Sequence, residues 1–267
     1  IADLKPYEKY KESGLRWLGR VPGHWDVMRL RASITDCVNG TWGADPDGED
    51  DLTCVRVADF DRVTLRVSLR KKTVRAIPTS VRPRRLLQRG DLLLEKSGGG
   101  DLQPVGAVVA FDSDEPAVCS NFVARMPLAA DYDNFYVNYL HSTLYAYRVN
   151  VRSIKQTTGI QNLDSKAYLA EPVAFPPPDE QAAIVRFLDW ANGRLERAIR
   201  AKRKVIALLG EQKQAIIHRA VTRGPARADA LRVCPIAISA RNVNKIAFPA
   251  DRQPLRARHR HDDAPHH

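Results

Sequence analysis

The chain has 267 residues, of which 44% are hydrophobic and 27% are charged, and its formal net charge is +11. This composition is typical of a folded protein and excludes a disorder-dominated chain over the first two thirds. The four cysteines form no C-x-x-C pair, so neither a zinc ribbon nor a disulfide framework is indicated. We therefore expect reduced thiols in a cytoplasmic protein. The sequence contains no apolar run long enough to span a membrane, so we expect no membrane partner.

The opening segment, residues 7–31, carries turn-forming pairs at 13–14 and 22–23. Trp17 and Trp25 lie eight residues apart within it. We interpret it as an irregular segment that its two indole rings attach to the core.

The next part of the chain separates its charges. Acids cluster at residues 45–51, whereas residues 61–89 are rich in arginine and lysine. Alternation predicts strands at 53–57 and 63–69, the second an edge strand protected by its arginines. A basic face of this kind favours a polyanion, because each neutralised phosphate releases counterions. An ordinary solvated charged face is the open alternative.

The central third predicts a mixed sheet with helices, an α+β fold. A turn at Gly90-Asp91 leads into a short buried strand at 92–95, and further strands are expected at 106–111 and 119–126. Residues 133–148 have a helical period of apolar positions. Residues 156–163 are expected to form a loop.

Three prolines at 176–178 end this pattern and precede one long helix. Asp179 and Glu180 suit the positive end of the helix dipole, and apolar residues then recur in alternating steps of four and three. A helix of that extent is about 60 Å long, so we expect a coiled-coil partner. The predicted interface residues are Leu188, Leu195, Lys202, Val205, Leu209 and Ile216. The predicted domains are a globular domain, 1–178, a long helix, 179–223, and an irregular basic tail, 224–267.

Signatures of catalysis are weak in the sequence. It contains no phosphate-binding loop, no H-E-x-x-H and no G-x-S-x-G. Asp91, Glu95 and Lys96 resemble a metal-dependent nuclease site, but adjacent residues on a strand face opposite ways, which opposes a joint role for Glu95 and Lys96. We predict no catalytic residue, no metal and no cofactor.

Two segments instead offer the chemistry of DNA binding. In the first segment, the small residues that follow Lys96 allow the protein backbone to approach DNA closely. The second segment, residues 152–162, combines cations with amide and hydroxyl groups that can contact phosphates or base edges. The candidate DNA-binding residues are Lys96, Ser97, Gly98, Gly99, Arg152, Lys155, Thr157, Thr158, Gln161 and Asn162. We expect Lys155 to contact phosphate and Gln161 to read a base, while ordinary turns are the open alternative for each segment.

Four stretches in order resemble the specificity subunit of type I restriction-modification enzymes. Residues 13–25 match an S-G-x-x-W-x-G-x-x-P-x-x-W opening, and residues 90–93 match a Gly-Asp-Leu-Leu turn followed by small residues. The third stretch is Pro-Pro-x-x-Glu-Gln and the helix start that follows it, 176–189, and the fourth is the helix end at 217–224. The resemblance covers residues 7–224, the amino-terminal half of that family.

The resemblance implies a non-catalytic subunit that reads one half of a bipartite site in double-stranded DNA. Its implied partners are modification (methyltransferase) subunits, which methylate adenine, and a restriction (motor-nuclease) subunit, which cuts. It also implies that long helices pair antiparallel as a spacer between two recognition domains.

A second recognition domain does not follow residue 224, so we expect a half-subunit. It would form a homodimer through the long helix, or pair with a second half-subunit, and two identical halves would read a palindromic bipartite target. Two other hypotheses stay open: a diverged nuclease or DNA methyltransferase, and a non-functional truncated specificity subunit. Unaided cleavage or methylation by the purified protein would support the first alternative.

Overall fold

The computed structural model describes residues 7–157 and 159–224. Its strands are β1 (Tyr10–Glu12), β2 (Arg20–Pro22), β3 (Asp26–Arg29), β4 (Val38–Asn39), β5 (Asp51–Val55), β6 (Phe60–Asp61), β7 (Arg66–Val67), β8 (Val74–Ala76), β9 (Leu92–Glu95), β10 (Ser97–Gly98), β11 (Val108–Ala110), β12 (Ala117–Cys119), β13 (Val123–Met126), β14 (Ile154–Thr157), β15 (Ile160–Leu163) and β16 (Pro172–Phe175). The α-helices are α1 (Asn134–Ala146), α2 (Ser165–Leu169) and α3 (Pro178–Arg223). The chain divides into two units, Ile1–Ile199 and Arg200–His267.

A six-stranded sheet of order β4-β13-β9-β11-β7-β6 forms the centre of the first unit. Strand β9 pairs antiparallel with β13 and β11, while β11 and β7 are parallel, so the sheet is mixed. Leu92 and Leu94 pack into one apolar cluster and Leu93 into another, because successive side chains of a strand face opposite sides. The predicted α+β fold and its buried strand are confirmed.

Helix α1 covers one of these clusters. Its amino terminus is capped by Asp133, whose side chain accepts hydrogen bonds from the backbone N–H groups of Phe135 and Tyr136. Val137 and Leu144 are fully buried against the sheet. The helix predicted for residues 133–148 is confirmed.

The strand predicted at residues 63–69 is much shorter than expected. The carboxylate of Asp61 accepts hydrogen bonds from the N–H groups of Val63 and Thr64, and Leu65 has a φ of 56°, so the chain turns here. Only β7 remains, and it lies between β11 and β6 rather than at the sheet edge. The edge-strand assignment is therefore wrong.

Two other predicted segments also differ from the structure. The single strand expected at residues 119–126 is wrong: Cys119 ends β12, which belongs to a separate sheet of order β12-β5-β8, and only residues 123–126 form β13 of the central sheet. A turn closed by the Val123 N–H and the Ser120 carbonyl separates them. The opening segment is more regular than expected, because β1 pairs with β2 and β3 pairs with β16.

The Glu-Gln pair at the start of α3 connects three parts of the first unit. The Glu180 carboxylate accepts hydrogen bonds from the Tyr7 hydroxyl at 2.9 Å and the Trp25 indole at 3.0 Å, and it contacts the His24 ring at 2.5 Å. Burial acts to raise the pKa of Glu180, but these hydrogen bonds outweigh it and lower the pKa overall. Buried Gln181 accepts from the Asp133 N–H and donates to the Pro176 carbonyl. This pair thus attaches both the opening segment and α1 to the helix start.

The long predicted helix is confirmed as α3. In the second unit its described residues, 200–224, are all exposed. Their large apolar side chains are Val205, Ile206, Leu208, Leu209, Ile216, Ile217 and Val221. Of the predicted tail, residues 225–267 lie outside the described part of the chain.

Replacing Gly40 with alanine is expected to destabilise the first unit. The added Cβ would overlap the carbonyl oxygens of Cys119 and Ser120, which are backbone atoms in the turn before β13. Overpacking of this kind costs about 1–3 kcal/mol, which corresponds to a melting temperature lower by about 2–10 °C. Gly100→Ala is the matched control, because no atom lies within 4 Å of its added Cβ. Equal melting temperatures for the two variants would contradict this close packing.

Candidate nucleic-acid interface

The basic stretch at residues 61–89 does not form the free cationic face that its sequence suggested. Most of its cations pair with acids, including acids of the 45–51 cluster. The pairs are Arg62–Glu95, Arg66–Asp112, Lys72–Glu115, Arg75–Asp45, Arg82–Asp50, Arg84–Asp36 and Arg89 with Asp112 and Asp114. This pairing neutralises most of the local charge excess and favours the solvated alternative for this stretch.

The two segments predicted to bind DNA form one sheet instead of two separate loops. Residues 154–157 and 160–163 pair as strands β14 and β15, and β15 also pairs with β10. The prediction of a loop at residues 156–163 is therefore wrong, because β15 forms backbone pairs with both β14 and β10. This three-stranded sheet aligns Ser97, Asn162 and Lys155 as neighbours on adjacent strands.

These three residues share one face of the sheet. The Ser97 hydroxyl donates to the Asn162 side-chain oxygen at 2.6 Å. The Lys155 ammonium pairs with Asp164 at 2.8 Å, yet 74% of its side chain remains exposed. Neighbours in a sheet register present their side chains together. A hydroxyl, an amide and a cation therefore lie side by side on an accessible surface.

Lys96 joins this sheet to the central one. Strand β9 ends at Glu95 and β10 begins at Ser97, and the Lys96 carbonyl accepts from the Leu163 N–H at 2.8 Å. The Lys96 ammonium donates to the Asn39 side-chain oxygen at 2.6 Å. We call the surface formed by Lys96, Ser97, Lys155 and Asn162 the junction surface.

The two predicted glycines fix the loop that follows β10. Gly98 and Gly99 have φ values of 116° and 60°, and a Cβ at Gly99 would lie 2.7 Å from the Val105 nitrogen. Only glycine adopts such a conformation this close to another backbone without strain. The loop then turns through paired hydrogen bonds between Gly100 and Gln103.

Gln161 lies on the opposite face of the hairpin from Asn162. It is only 6% exposed, and its side-chain oxygen accepts from the Val105 N–H at 3.2 Å. Gln161 therefore supports the backbone beside the glycine loop. Because it is buried, Gln161 is not accessible to read a base.

The remaining candidates are less informative. Arg152 is exposed and lies 3.9 Å from the Glu171 carboxylate, in the segment before β14. For Thr157 the structure describes only the backbone, and Thr158 lies outside the described residues.

One exposed residue beside the junction surface was missed at the sequence level. The Phe122 carbonyl accepts hydrogen bonds from the N–H groups of both Lys96 and Ser97, and the residue is 51% exposed. The continuous strand expected at residues 119–126 would place Phe122 within a strand, whereas the structure places it in the turn before β13. The Ser120-Asn121 pair is a turn signal that could have revealed it.

The carboxylates considered for a nuclease each contact an arginine. Asp91 pairs with Arg125 at 2.6 Å, and Glu95, which is 2% exposed, pairs with Arg62 at 2.9 Å. Burial raises the pKa of Glu95 despite that arginine. Within the described ranges no three His, Cys, Asp or Glu residues come together as metal ligands. Both carboxylates therefore fit a structural role.

Comparison with solved structures places this geometry in a known fold. A chain from "Structural basis underlying complex assembly and conformational transition of the type I R-M system" is 20% identical, with a TM-score of 0.55. The match covers 75% of this chain and 46% of that one, so this chain spans less than half of its length. No protein-family model matches, and no curated protein is similar in sequence.

Two crystal structures carry the name of the subunit. The HsdS subunit from Thermoanaerobacter tengcongensis is 19% identical with a TM-score of 0.49, covering 79% of this chain and 47% of that one. The type I restriction-modification S subunit from M. genitalium is 15% identical with a TM-score of 0.43, covering 73% and 45%.

The chain is therefore an α+β domain followed by a long helix, the fold found in a type I restriction-modification system. The resemblance predicted from the sequence is therefore confirmed at the level of the fold. Among the described helices, none combines the length and apolar character needed to cross a bilayer.

Proposed function

We propose that this chain binds double-stranded DNA through the junction surface, as the recognition half of a type I specificity subunit. The observation that carries this proposal is the convergence of two DNA-binding candidate segments, 65 residues apart between Ser97 and Asn162, in one exposed sheet. The shared fold supports the same function.

The chemistry of the junction surface suits a duplex. Lys96 and Lys155 supply cations for phosphates, while the Ser97 hydroxyl and the Asn162 amide offer donors and acceptors for base edges or sugar oxygens. The glycine loop after Ser97 leaves room for a backbone to approach the groove, because Gly98 and Gly100 would meet no atom within 4 Å if they carried a Cβ.

Lys155→Ala is expected to weaken binding to specific and random duplexes alike. The affinity falls as salt rises, and losing one phosphate contact makes the slope of log affinity against log salt less steep by about 1. The Asp164 carboxylate, freed from its lysine, adds repulsion toward phosphate. Fluorescence anisotropy across a salt series measures both effects.

Lys71→Ala is the matched control for this experiment. Lys71 is exposed in the basic stretch, far in sequence from the junction surface. We expect it to leave the salt slope unchanged. A reduced slope for Lys71→Ala with an unchanged slope for Lys155→Ala would move the DNA face to the basic stretch.

The proposed partners are modification (methyltransferase) subunits and a restriction (motor-nuclease) subunit, with two copies of this chain or a second half-subunit paired through α3. Co-expression with the modification subunits, followed by mapping of methylated adenines, tests this assembly. A methylated palindromic bipartite sequence that is lost without this chain is the expected result. Methylation independent of this chain would overturn the proposal.

The chain itself is proposed to be non-catalytic. The arginine partners of Asp91 and Glu95 support this, because carboxylates held by guanidinium groups are poorly placed to take a metal. Cleavage or methylation of DNA by the purified chain alone would favour the enzyme hypothesis instead.

A further inference from the structure

Phe122 is an exposed aromatic residue just before the start of strand β13. Phenylalanine is usually buried, and among the described residues Phe122 is the only phenylalanine in the exposed class. The next two residues, Val123 and Ala124, are fully buried. Phe122 therefore lies where strand β13 leaves the core, and about half of the residue is accessible at the surface.

The backbone at Phe122 is held firmly at the edge of the junction surface. Its carbonyl accepts from the Lys96 N–H at 2.8 Å and the Ser97 N–H at 3.3 Å. The Gly40 N–H donates to the Val123 carbonyl on the other side. Antiparallel pairing of Val123 with Glu95 extends to place Phe122 opposite Lys96. The backbone that carries the ring is thus fixed next to Lys96 and Ser97.

The surroundings of Phe122 suit a nucleotide better than a protein surface. A protein contact is usually centred on an anchor within an apolar, well-packed patch. Here the hydrogen-bonded neighbours are Lys96 and Ser97, and the Ser97 hydroxyl leads on to Asn162. Basic and amide groups interleaved with an aromatic ring are typical of sites that hold a phosphate and stack on a base.

We propose that the Phe122 ring stacks against a base that becomes unstacked when the junction surface binds duplex DNA. This inference rests on the proposed function and adds the class of contact that the surface makes. Apolar side chains can insert at a base step and open it, and every base offers a π-face, so the contact requires no particular sequence. Lys96 would hold the adjacent phosphate.

The experiment compares two short DNA duplexes that differ by one central mismatched pair. A mismatched base is already partly unstacked, so it spares the protein the opening cost. We expect the wild-type chain to bind the mismatched duplex more tightly, and Phe122→Ala to lose about tenfold in affinity for it. 2-Aminopurine beside the mismatch reports stacking directly, because its emission should respond to wild-type protein but not to Phe122→Ala.

Two variants keep the result interpretable. Phe122→Tyr retains an aromatic face and should preserve the mismatch preference. Val63→Ala removes an exposed apolar side chain from the turn between β6 and β7, at the far end of the central sheet, and should behave as wild type. Circular dichroism confirms that each variant is folded.

Different failures separate the two proposals. DNA binding with equal affinity for both duplexes, unaffected by Phe122→Ala, would overturn the stacking contact and leave the proposed function intact. Failure to bind any duplex, with or without modification subunits, would overturn the proposed function and this inference together.

Discussion

Leu209→Asp is expected to abolish self-association of the chain while residues 7–199 stay folded. Leu209 is 56% exposed, and it continues the predicted seam through Val205 and Ile216, which are also exposed. An exposed ladder of large apolar side chains at coiled-coil spacing is stabilised when a second helix covers it. A carboxylate at its centre would be desolvated without a partner charge.

The expected loss of dimer affinity is large because a twofold-symmetric homodimer contains the Leu209→Asp substitution in both copies of α3. Loss of one buried leucine costs about 2 kcal/mol, so two copies weaken the dimer by about a thousandfold before the charge is considered. Light scattering and sedimentation at micromolar concentration measure the change in mass. Circular dichroism and thermal melting measure whether the first unit remains intact.

Ala207→Asp is the matched control. It introduces the same carboxylate two residues away, on the side of α3 opposite the ladder, since each residue advances about 100° around the helix. We expect it to remain associated, and Leu195→Asp to dissociate as Leu209→Asp does. A monomeric wild-type chain would contradict the pairing, and an unfolded Leu209→Asp would show that α3 contributes to the main core.

The sequence predicts the periodic parts of this fold well, for a physical reason. The apolar positions of α1 and of α3 repeat every three to four residues, and the three leucines that begin β9, Leu92 to Leu94, are all fully buried. Such patterns reflect local geometry and burial, which a chain encodes over a few residues. Their boundaries and types therefore agree with the structure.

Pairings across long stretches of chain are not encoded in this way. Ser97 neighbours Asn162 only because β10 joins a hairpin far along the sequence, and no local pattern announces that register. Once the hairpin exists, its twofold alternation turns Asn162 outward and Gln161 inward. A loop has no such alternation, so a loop at residues 156–163 gives no basis for distinguishing the exposed Asn162 from the buried Gln161.

Charge gives a similar lesson at residues 61–89. The composition identifies an excess of arginine, but only the fold brings Asp45 to Arg75 and Asp50 to Arg82. A local charge count therefore leaves open whether a basic stretch forms a free cationic face or is neutralised by tertiary contacts, and here the contacts neutralise most of it. The junction surface has only two cations, Lys96 and Lys155, fewer than the basic stretch. Their proposed role in DNA binding depends on their position beside Ser97 and Asn162.

Asp91→Ala is expected to destabilise the first unit severely. Asp91 is 4% exposed, and its carboxylate accepts from the Arg125 side chain and from the Gln88 N–H at 2.7 Å. Removing it leaves a buried guanidinium without a counter-charge, which costs about 3–5 kcal/mol. This approaches the whole stability of many domains, so urea unfolding should show a much lower midpoint.

Asp114→Ala controls for the loss of an aspartate–arginine pair in general. Asp114 pairs with Arg89 at 2.7 Å but is largely exposed, so its loss should cost less than about 1 kcal/mol. The double variant Asp91→Ala/Arg125→Met should recover part of the lost stability, because it removes both buried charges. A stable Asp91→Ala that instead lost metal-dependent DNA cleavage would show that this carboxylate is catalytic, since a structural carboxylate acts on folding first.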